Sequence, residues 1–509
     1  MNYDAIVIGS GCGGLSCGAA LALQGKKVLV LEQSTNAGGF ARTLTHDKWR
    51  WIAGFQYAGS LLPNGTDFKL LGLLTGGKLK YKPLHTEFQK IKSPAGDFSL
   101  FGDFDIFQND LKKRFPAEAN GIDEYFDILH KVREKFPDTL KERWRDRPIA
   151  ICSELINSLS MLGIAFATLQ KELDKRFKNE NLKFILSAMW SSWGLPPEET
   201  PMMVAAGVAG TLLSGVYAPV LPDIASGLLE TITKAGGKIL YGEAGTAKQL
   251  TLTDKKVTGV LTADGQTYLT SAVISGIGIK RTAEQLLPEE YWKRNIKHIE
   301  KKFSLSKSAF LLRLGFSDAF RQISDGLTTY RRFADRNFNF GTDPTQAGWV
   351  PSNGVLAFTM PPTDSGLLPS AEVMGMTDVT FFSKWKNLNA NQQKAVEVSM
   401  TKAILEQLVF PWFPDAAKYI EYTDLDTPIT LAVDRNGYDD GAIYGLAPTG
   451  AKMMDMGIQP DSQVDNLYFT GADVITLGTT TVMIAGILAA SAVVDKNLLE
   501  EYINKANAN

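Results

Sequence analysis

The chain is poor in the residues that build disulfides and metal sites, and it has no excess of positive charge. It has three cysteines in 509 residues, Cys12, Cys17 and Cys152. Three cannot form a disulfide framework, and no CxxC pair is present, so a reducing, cytoplasmic setting is expected. Cys12 and Cys17 lie in a Gly/Ala-rich stretch, where small side chains let a helix approach a sheet. Histidine is almost as scarce: His46, His85, His130 and His298 are the four, with no HxH or HExxH spacing, so no metal site is expected. Net charge is only −2 and no long Lys/Arg block or zinc-finger spacing occurs, which argues against a nucleic-acid partner. The basic start and short apolar run of a cleavable signal peptide are also missing. Two uncharged runs, Thr200–Pro222 and Val474–Val494, have the length to cross a bilayer. The first is interrupted by Pro201, Gly207, Gly210, Gly215 and Pro219, and the second is rich in Thr, Ala and Gly, so both are expected to be buried.

The remainder is ordinary globular composition, with 44% apolar and 21% charged residues, long enough for two or more structural units. Its strongest signal comes first. Ala5-Ile6-Val7-Ile8 is a short β-branched run, the pattern of a buried parallel strand. Gly9-Ser10-Gly11-Cys12-Gly13-Gly14 follows directly, with the GxGxxG glycines at Gly9, Gly11 and Gly14. In that motif the first glycine makes the tight turn, the second admits a pyrophosphate to the backbone, and the third lets helix and strand close together. An Ala-rich helix to about Leu23 would direct free N–H groups at the phosphates. A second strand, Val28-Leu29-Val30-Leu31, ends at Glu32 beside Gln33, where a ribose-binding acid belongs. Strand, glycines, helix, strand and acid in this order point to a dinucleotide.

Further blocks narrow the cofactor. Gly38-Gly39-Phe40-Ala41-Arg42 resembles the GGxxR extension of the FAD-dependent amine-oxidase-type superfamily, which includes phytoene desaturases. An arginine there suits phosphate oxygens through its planar fork. Near the other end, Asn466-Leu467-Tyr468-Phe469-Thr470-Gly471-Ala472-Asp473 resembles that superfamily's second FAD motif, and Thr479-Thr480-Thr481 opens an apolar helix to about Val494. The resemblance implies FAD held by Gly9, Gly11, Gly13, Gly14, Glu32, Gln33, Gly38, Gly39, Arg42, Gly471, Asp473, Thr480 and Thr481. It also implies a third piece within Ser226–Ser275 that completes the sheet.

Met189-Trp190-Ser191-Ser192-Trp193-Gly194-Leu195-Pro196-Pro197 is similar to the W-x-x-x-G-L-P-P segment of retinol saturases and carotenoid isomerases. Gly215-Val216-Tyr217-Ala218-Pro219-Val220, Phe381-Phe382-Ser383-Lys384-Trp385, Thr427-Pro428-Ile429-Thr430 and Gly441-Ala442-Ile443-Tyr444-Gly445 match further blocks in order. The chain departs from the pattern at Ile52, where the family usually has an acid, at Gln56, where retinol saturases often have His, and at Leu221-Pro222-Asp223-Ile224, where a GG[SA] turn is common. These departures fall toward the substrate end of the flavin.

The expected architecture is α/β: a discontinuous Rossmann-like FAD-binding domain with a glutathione-reductase-type sheet (1–75, 215–305, 435–509), plus an α+β substrate domain (76–214, 306–434) with a helical insertion at about 103–200. No second GxGxxG marks a pyridine-nucleotide domain, which leaves open a quinone, oxygen, a reductase or a transient nicotinamide as electron partner. By resemblance the reaction saturates, desaturates or isomerises a C=C bond of a polyene or isoprenoid lipid, an amine-oxidase activity being a weaker alternative. Tyr57, Tyr217 and Gln56 are the candidates for proton donor and its orienter, with Tyr444 a further candidate for donor or pocket wall; Trp190, Trp193, Phe381, Phe382 and Tyr444 are the candidate pocket walls. Basic-aromatic stretches at Leu111–Phe115 and Lys141–Arg145 are candidates for peripheral membrane contact, against the simpler reading of a solvated helix face.

Overall fold

The structure is a computed structural model that describes the chain except residues 1–2, 53–56, 60, 62–64, 142–163, 165–166, 221–223, 292–301, 325, 327–328, 347, 383, 434–440, 454–457, 463 and 509. Segments from both ends and the middle meet in one five-stranded parallel sheet, ordered Lys238–Tyr241, Val28–Glu32, Ala5–Ile8, Val273–Ser275, Leu467–Phe469. All pairings are parallel, and the two first strands are buried along their whole length, which is why they read as unbroken apolar runs. This is the expected Rossmann-like sheet.

The helix Cys12–Leu23 follows the first strand, and Thr479–Val494 packs against it. Both helices are lined by small residues, and this lets their backbones approach closely. Gly9 turns the chain at φ 91°, and a side chain on it would lie 2.8 Å from Ile277. A Cβ on Gly14 would stand 2.2 Å from the carbonyl oxygen of Gly9, so only glycine fits between strand and helix.

A second, seven-stranded sheet combines Glu87–Lys92 and Phe98–Phe101 with strands from Ser308 to Asp426. Helices Phe104–Arg114, Ala119–Lys141, Leu169–Arg176, Glu180–Ser187 and Met202–Leu212 form the helical insertion. The hairpin Thr43–His46/Trp49–Ile52 follows the first two strands of the parallel sheet yet docks on the second sheet. There the Trp49 indole donates to the Phe316 carbonyl at 2.9 Å, and the Trp51 indole to the carbonyls of Leu314 and Ala371 at 3.1 and 3.0 Å. Buried indoles need an acceptor, and the sheet supplies it.

One register row across the second sheet matters for the site. Asp426, Leu311, Met374, Val355 and Arg331 are consecutive cross-strand partners on five neighbouring strands. Residues in register share a face, so the row is a continuous roof. Two residues along the strand from Leu311, buried Arg313 bonds Asp424 at 2.5 Å and Asp426 at 2.7 Å.

Among the described residues no single helix is long and apolar enough to cross a membrane; the pair Thr479–Val494 and Leu498–Asn507 has the composition but bends by 120°. Residues Met483 to Ser491 of that pair are buried against the sheet core.

Candidate active site

Two cavities adjoin under the roof. The smaller, about 330 Å³, is bounded by Gly9, Gly11, Gly13, Glu32, Gln33, Gly39, Arg42, Gly471 and Thr479. The larger, about 570 Å³, runs between the second sheet, the helical insertion and the start of the closing helix, with walls that include Tyr57, Ser191, Ser192, Arg331, Thr480 and Thr481. Met374, Tyr444, Leu477, Gly478 and Thr479 border both.

Three glycine-bearing loops build the smaller cavity. Gly11 and Gly38 form a bridge, with the Gly38 N–H donating to the Ser10 carbonyl at 3.0 Å. A Cβ on Gly13 would lie 2.9 Å from Gly471, so the N-terminal loop and the C-terminal turn touch. Glu32 is held from both sides: one carboxylate oxygen accepts the Ser10 N–H at 2.9 Å, the other the Ser34 N–H at 2.8 Å. The carboxylate at the strand end is therefore rigid and still borders the cavity.

This cradle fits a flavin dinucleotide. A Cβ on Gly11 or on Gly471 would meet nothing within 4 Å, so both backbones face open space rather than protein. The Thr476 hydroxyl, beside the junction of the cavities, is buried with no hydrogen-bond partner among the described residues. Such a group calls for a bound partner. The helix Thr479–Val494 aims its N-terminal N–H groups at the same junction.

Other site expectations fall differently. Asp473 is 1% exposed and does not border either cavity. Its two oxygens accept the N–H groups of Leu446 at 2.8 Å and Ile279 at 2.9 Å, so it ties three chain segments together. Gly14 and Gly38 also stand behind the cavity wall rather than in it. Thr480 and Thr481 border the larger cavity, not the smaller.

In the larger cavity the structure brings together Tyr57 and Tyr444 but not Tyr217. Tyr217 sits on the strand Val216–Val220 opposite Ala58 and packs into the core around the five-stranded sheet. Gln56 lies outside the described residues. Trp190, Trp193, Phe381 and Phe382 do not border either cavity. The two indoles fill the core of the helical insertion, Trp193 donating to the Leu195 carbonyl at 3.0 Å, and Phe382 fills the core behind the second sheet. Large aromatics yield the most free energy when fully desolvated, which draws them away from an open cavity.

The tryptophan block nonetheless shapes the site through its small residues. The Tyr444 hydroxyl donates to the Ser191 carbonyl at 2.9 Å, and Gly194 lies under the Tyr444 ring, where a Cβ would come within 2.7 Å. The residue that sequence reasoning missed is Arg331. It is 2% exposed, and its guanidinium donates to Gln89 Oε1 at 3.1 Å, the Ala188 carbonyl at 2.9 Å and the Ser191 hydroxyl at 2.8 Å. Arg331, Gln89 and Ser192 surround the Tyr57 hydroxyl. Burial pushes the Tyr57 pKa up, and these three neighbours pull against it, leaving it raised. Tyr444 is likewise pushed up by burial and by Tyr57. Both phenols are therefore proton-bearing at neutral pH. The only sequence signal for Arg331 was a cation in a half-apolar strand, Thr329-Tyr330-Arg331-Arg332-Phe333, where the inward face could not be told from the outward one.

Fold and cavities together are those of an oxidoreductase with a Rossmann-like dinucleotide-binding unit. Residues 7–69 match the family model of an NAD(P)-binding Rossmann-like domain. A solved putrescine oxidase shares the fold, with a TM-score of 0.63 at 15% identity over 97% of this chain and 99% of that one. Within this class the chain is homologous over nearly its whole length to retinol 13,14-reductases and prolycopene isomerases. It is 25% identical to the all-trans-retinol 13,14-reductase of Danio rerio, covering 99% of this chain and 88% of the relative. It is 24% identical to the chloroplastic prolycopene isomerase of Arabidopsis thaliana, covering 97% and 84%. The resemblance read from the tryptophan block and its companions is thus borne out along the chain.

Proposed function

We propose that this chain is an FAD-dependent oxidoreductase that saturates or desaturates a C=C bond of an apolar polyene or isoprenoid lipid. The observation that carries the reading is the shared wall: a dinucleotide cradle and a larger, mainly apolar cavity meet at Met374, Tyr444, Leu477, Gly478 and Thr479. Bound FAD would supply hydride exchange at its N5. The protein's part is to bind, orient and exclude water. Glu32 and the N–H groups around Gly11 suit the ribose and pyrophosphate, with Arg42 beside them. Leu70, Val204, Leu212 and Ile484 give the larger cavity walls suited to a hydrocarbon chain. Tyr57 holds a proton at the cavity wall and is the group to deliver it to the carbon next to the one that exchanges hydride.

The similarity to prolycopene isomerases favours a second reading, a cis–trans isomerase working with reduced flavin and no net redox change. Product mass separates the two: a change of two hydrogens supports the oxidoreductase. The test is anaerobic. Retinoids, carotenoids and unsaturated fatty acids are added to oxidised and to reduced protein while the flavin spectrum is followed. Lipid-dependent bleaching or recovery of the flavin bands is expected, and no response to any C=C lipid in either state sinks the proposal.

A further inference from the structure

Arg331 carries a charge whose interior neighbours do not answer it. Its described partners are the Gln89 amide, the Ala188 carbonyl and the hydroxyls of Ser191 and Tyr57, all neutral. The buried Arg313, on the same sheet, shows the contrast, for it is paired with two aspartates. A guanidinium kept from water without a counter-ion loses much of its solvation, and neutral oxygens recover only part of it. An anion in the adjoining space would complete the pair.

The position of Arg331 says which anion. It borders the larger cavity and not the cradle, so its charge is not aimed at the cofactor's phosphates. It stands two strands beyond Met374 but shares Ser191 with Tyr444, and Tyr444 borders both cavities, so Arg331 lies near the wall that the two cavities share. The other ionisable walls, Asp67, Arg133 and Glu134, are of mixed sign and partly or fully exposed. We propose that Arg331 receives the carboxylate of an acidic polyene or isoprenoid lipid, so that the substrate enters tail outward and reacts at a double bond near its acid end. The inference rests on the lipid reading above and narrows it to lipid acids.

The test measures binding as well as turnover. The flavin-loaded, oxidised protein is titrated with two matched sets, all-trans-retinoic acid, its methyl ester and retinol, and linoleic acid with its methyl ester. Quenching of tryptophan fluorescence and perturbation of the flavin bands give affinities. Each acid should bind about 10- to 100-fold more tightly than its ester, the range of one charge-assisted hydrogen bond. Arg331→Gln should abolish that preference and leave ester affinity unchanged, while Arg331→Lys should keep part of it. Flavin content and melting temperature verify that the variants are folded. Equal binding of acid and ester by the unsubstituted protein overturns the proposal, as does an Arg331→Gln variant that keeps the acid preference. If esters and alcohol bind and are turned over as well as the acids, this inference alone fails. If no lipid of either set binds or changes the flavin, both it and the lipid reading fail.

Discussion

Gly486 and Gly13 are in backbone contact: a Cβ on Gly486 would stand 2.5 Å from the Gly13 carbonyl oxygen and 2.7 Å from the Cys17 nitrogen. The last long helix thus lies directly on the phosphate-loop helix, 473 residues away in sequence (486 − 13). Gly486→Ala must force them apart. Overpacking of this kind costs about 1–3 kcal/mol. The variant should melt at lower temperature and retain less flavin after gel filtration; unchanged flavin content and melting would show that the helix contact is softer than described.

Tyr57→Phe removes the proton held at the cavity wall and leaves the cofactor cradle untouched. Lipid turnover should fall about 10²- to 10⁴-fold, as for loss of a general acid, with flavin content unchanged. Tyr217→Phe, in the core around the five-stranded sheet, should retain near-normal turnover. Turnover by the Tyr57→Phe variant within a factor of a few of the original would remove Tyr57 from the chemistry.

The pH dependence has a fixed sign. Burial raises the Tyr57 pKa above the phenol value of about 10. The acid form is present below that value and lost above it, so turnover by a Tyr57 donor should be level through the neutral range and decline only in strong base. A descending limb in the pH–rate profile near neutrality points to a different acid.

Asp473 accepts one backbone N–H on each oxygen, from Leu446 and from Ile279. Asp473→Ala leaves two buried donors without partners, about 1–3 kcal/mol each. Loss of stability with loosened flavin should follow together, because the tied segments include Gly445 and Ile277, both at the cradle wall. A variant that binds FAD weakly yet melts normally would mean that Asp473 touches the cofactor itself.

Asp426→Ala should unfold the protein more readily by about 1.5–3 kcal/mol, because it strips the buried one of two carboxylate partners from Arg313 and leaves Asp424. Denaturant titration measures this. Arg313→Met combined with Asp426→Leu should recover much of the loss.

The sequence by itself determined the Rossmann-like unit. Its strands, glycine loops and acid act through local geometry and short spacings, so Gly9–Gly14, Glu32, Arg42 and the turn at Gly471 could be read without coordinates. Helices of small residues likewise announced close packing. The substrate side was less legible. Trp190 and Trp193 looked like walls and are core, while Ser191 and Gly194 between them hold Arg331 and Tyr444 in place. Burial decides between the two roles, and burial depends on which distant segments cover a residue. Arg331 shows this most plainly. In the sequence it is one of two adjacent arginines, Arg331 and Arg332. Strand parity turns them to opposite faces, Arg332 bonding the Gln407 carbonyl at 2.9 Å and Arg331 facing the cavity. Only the pairing of Ser308–Asp426 strands with Glu87–Lys92 fixes that parity, and with it the register row that borders the two cavities.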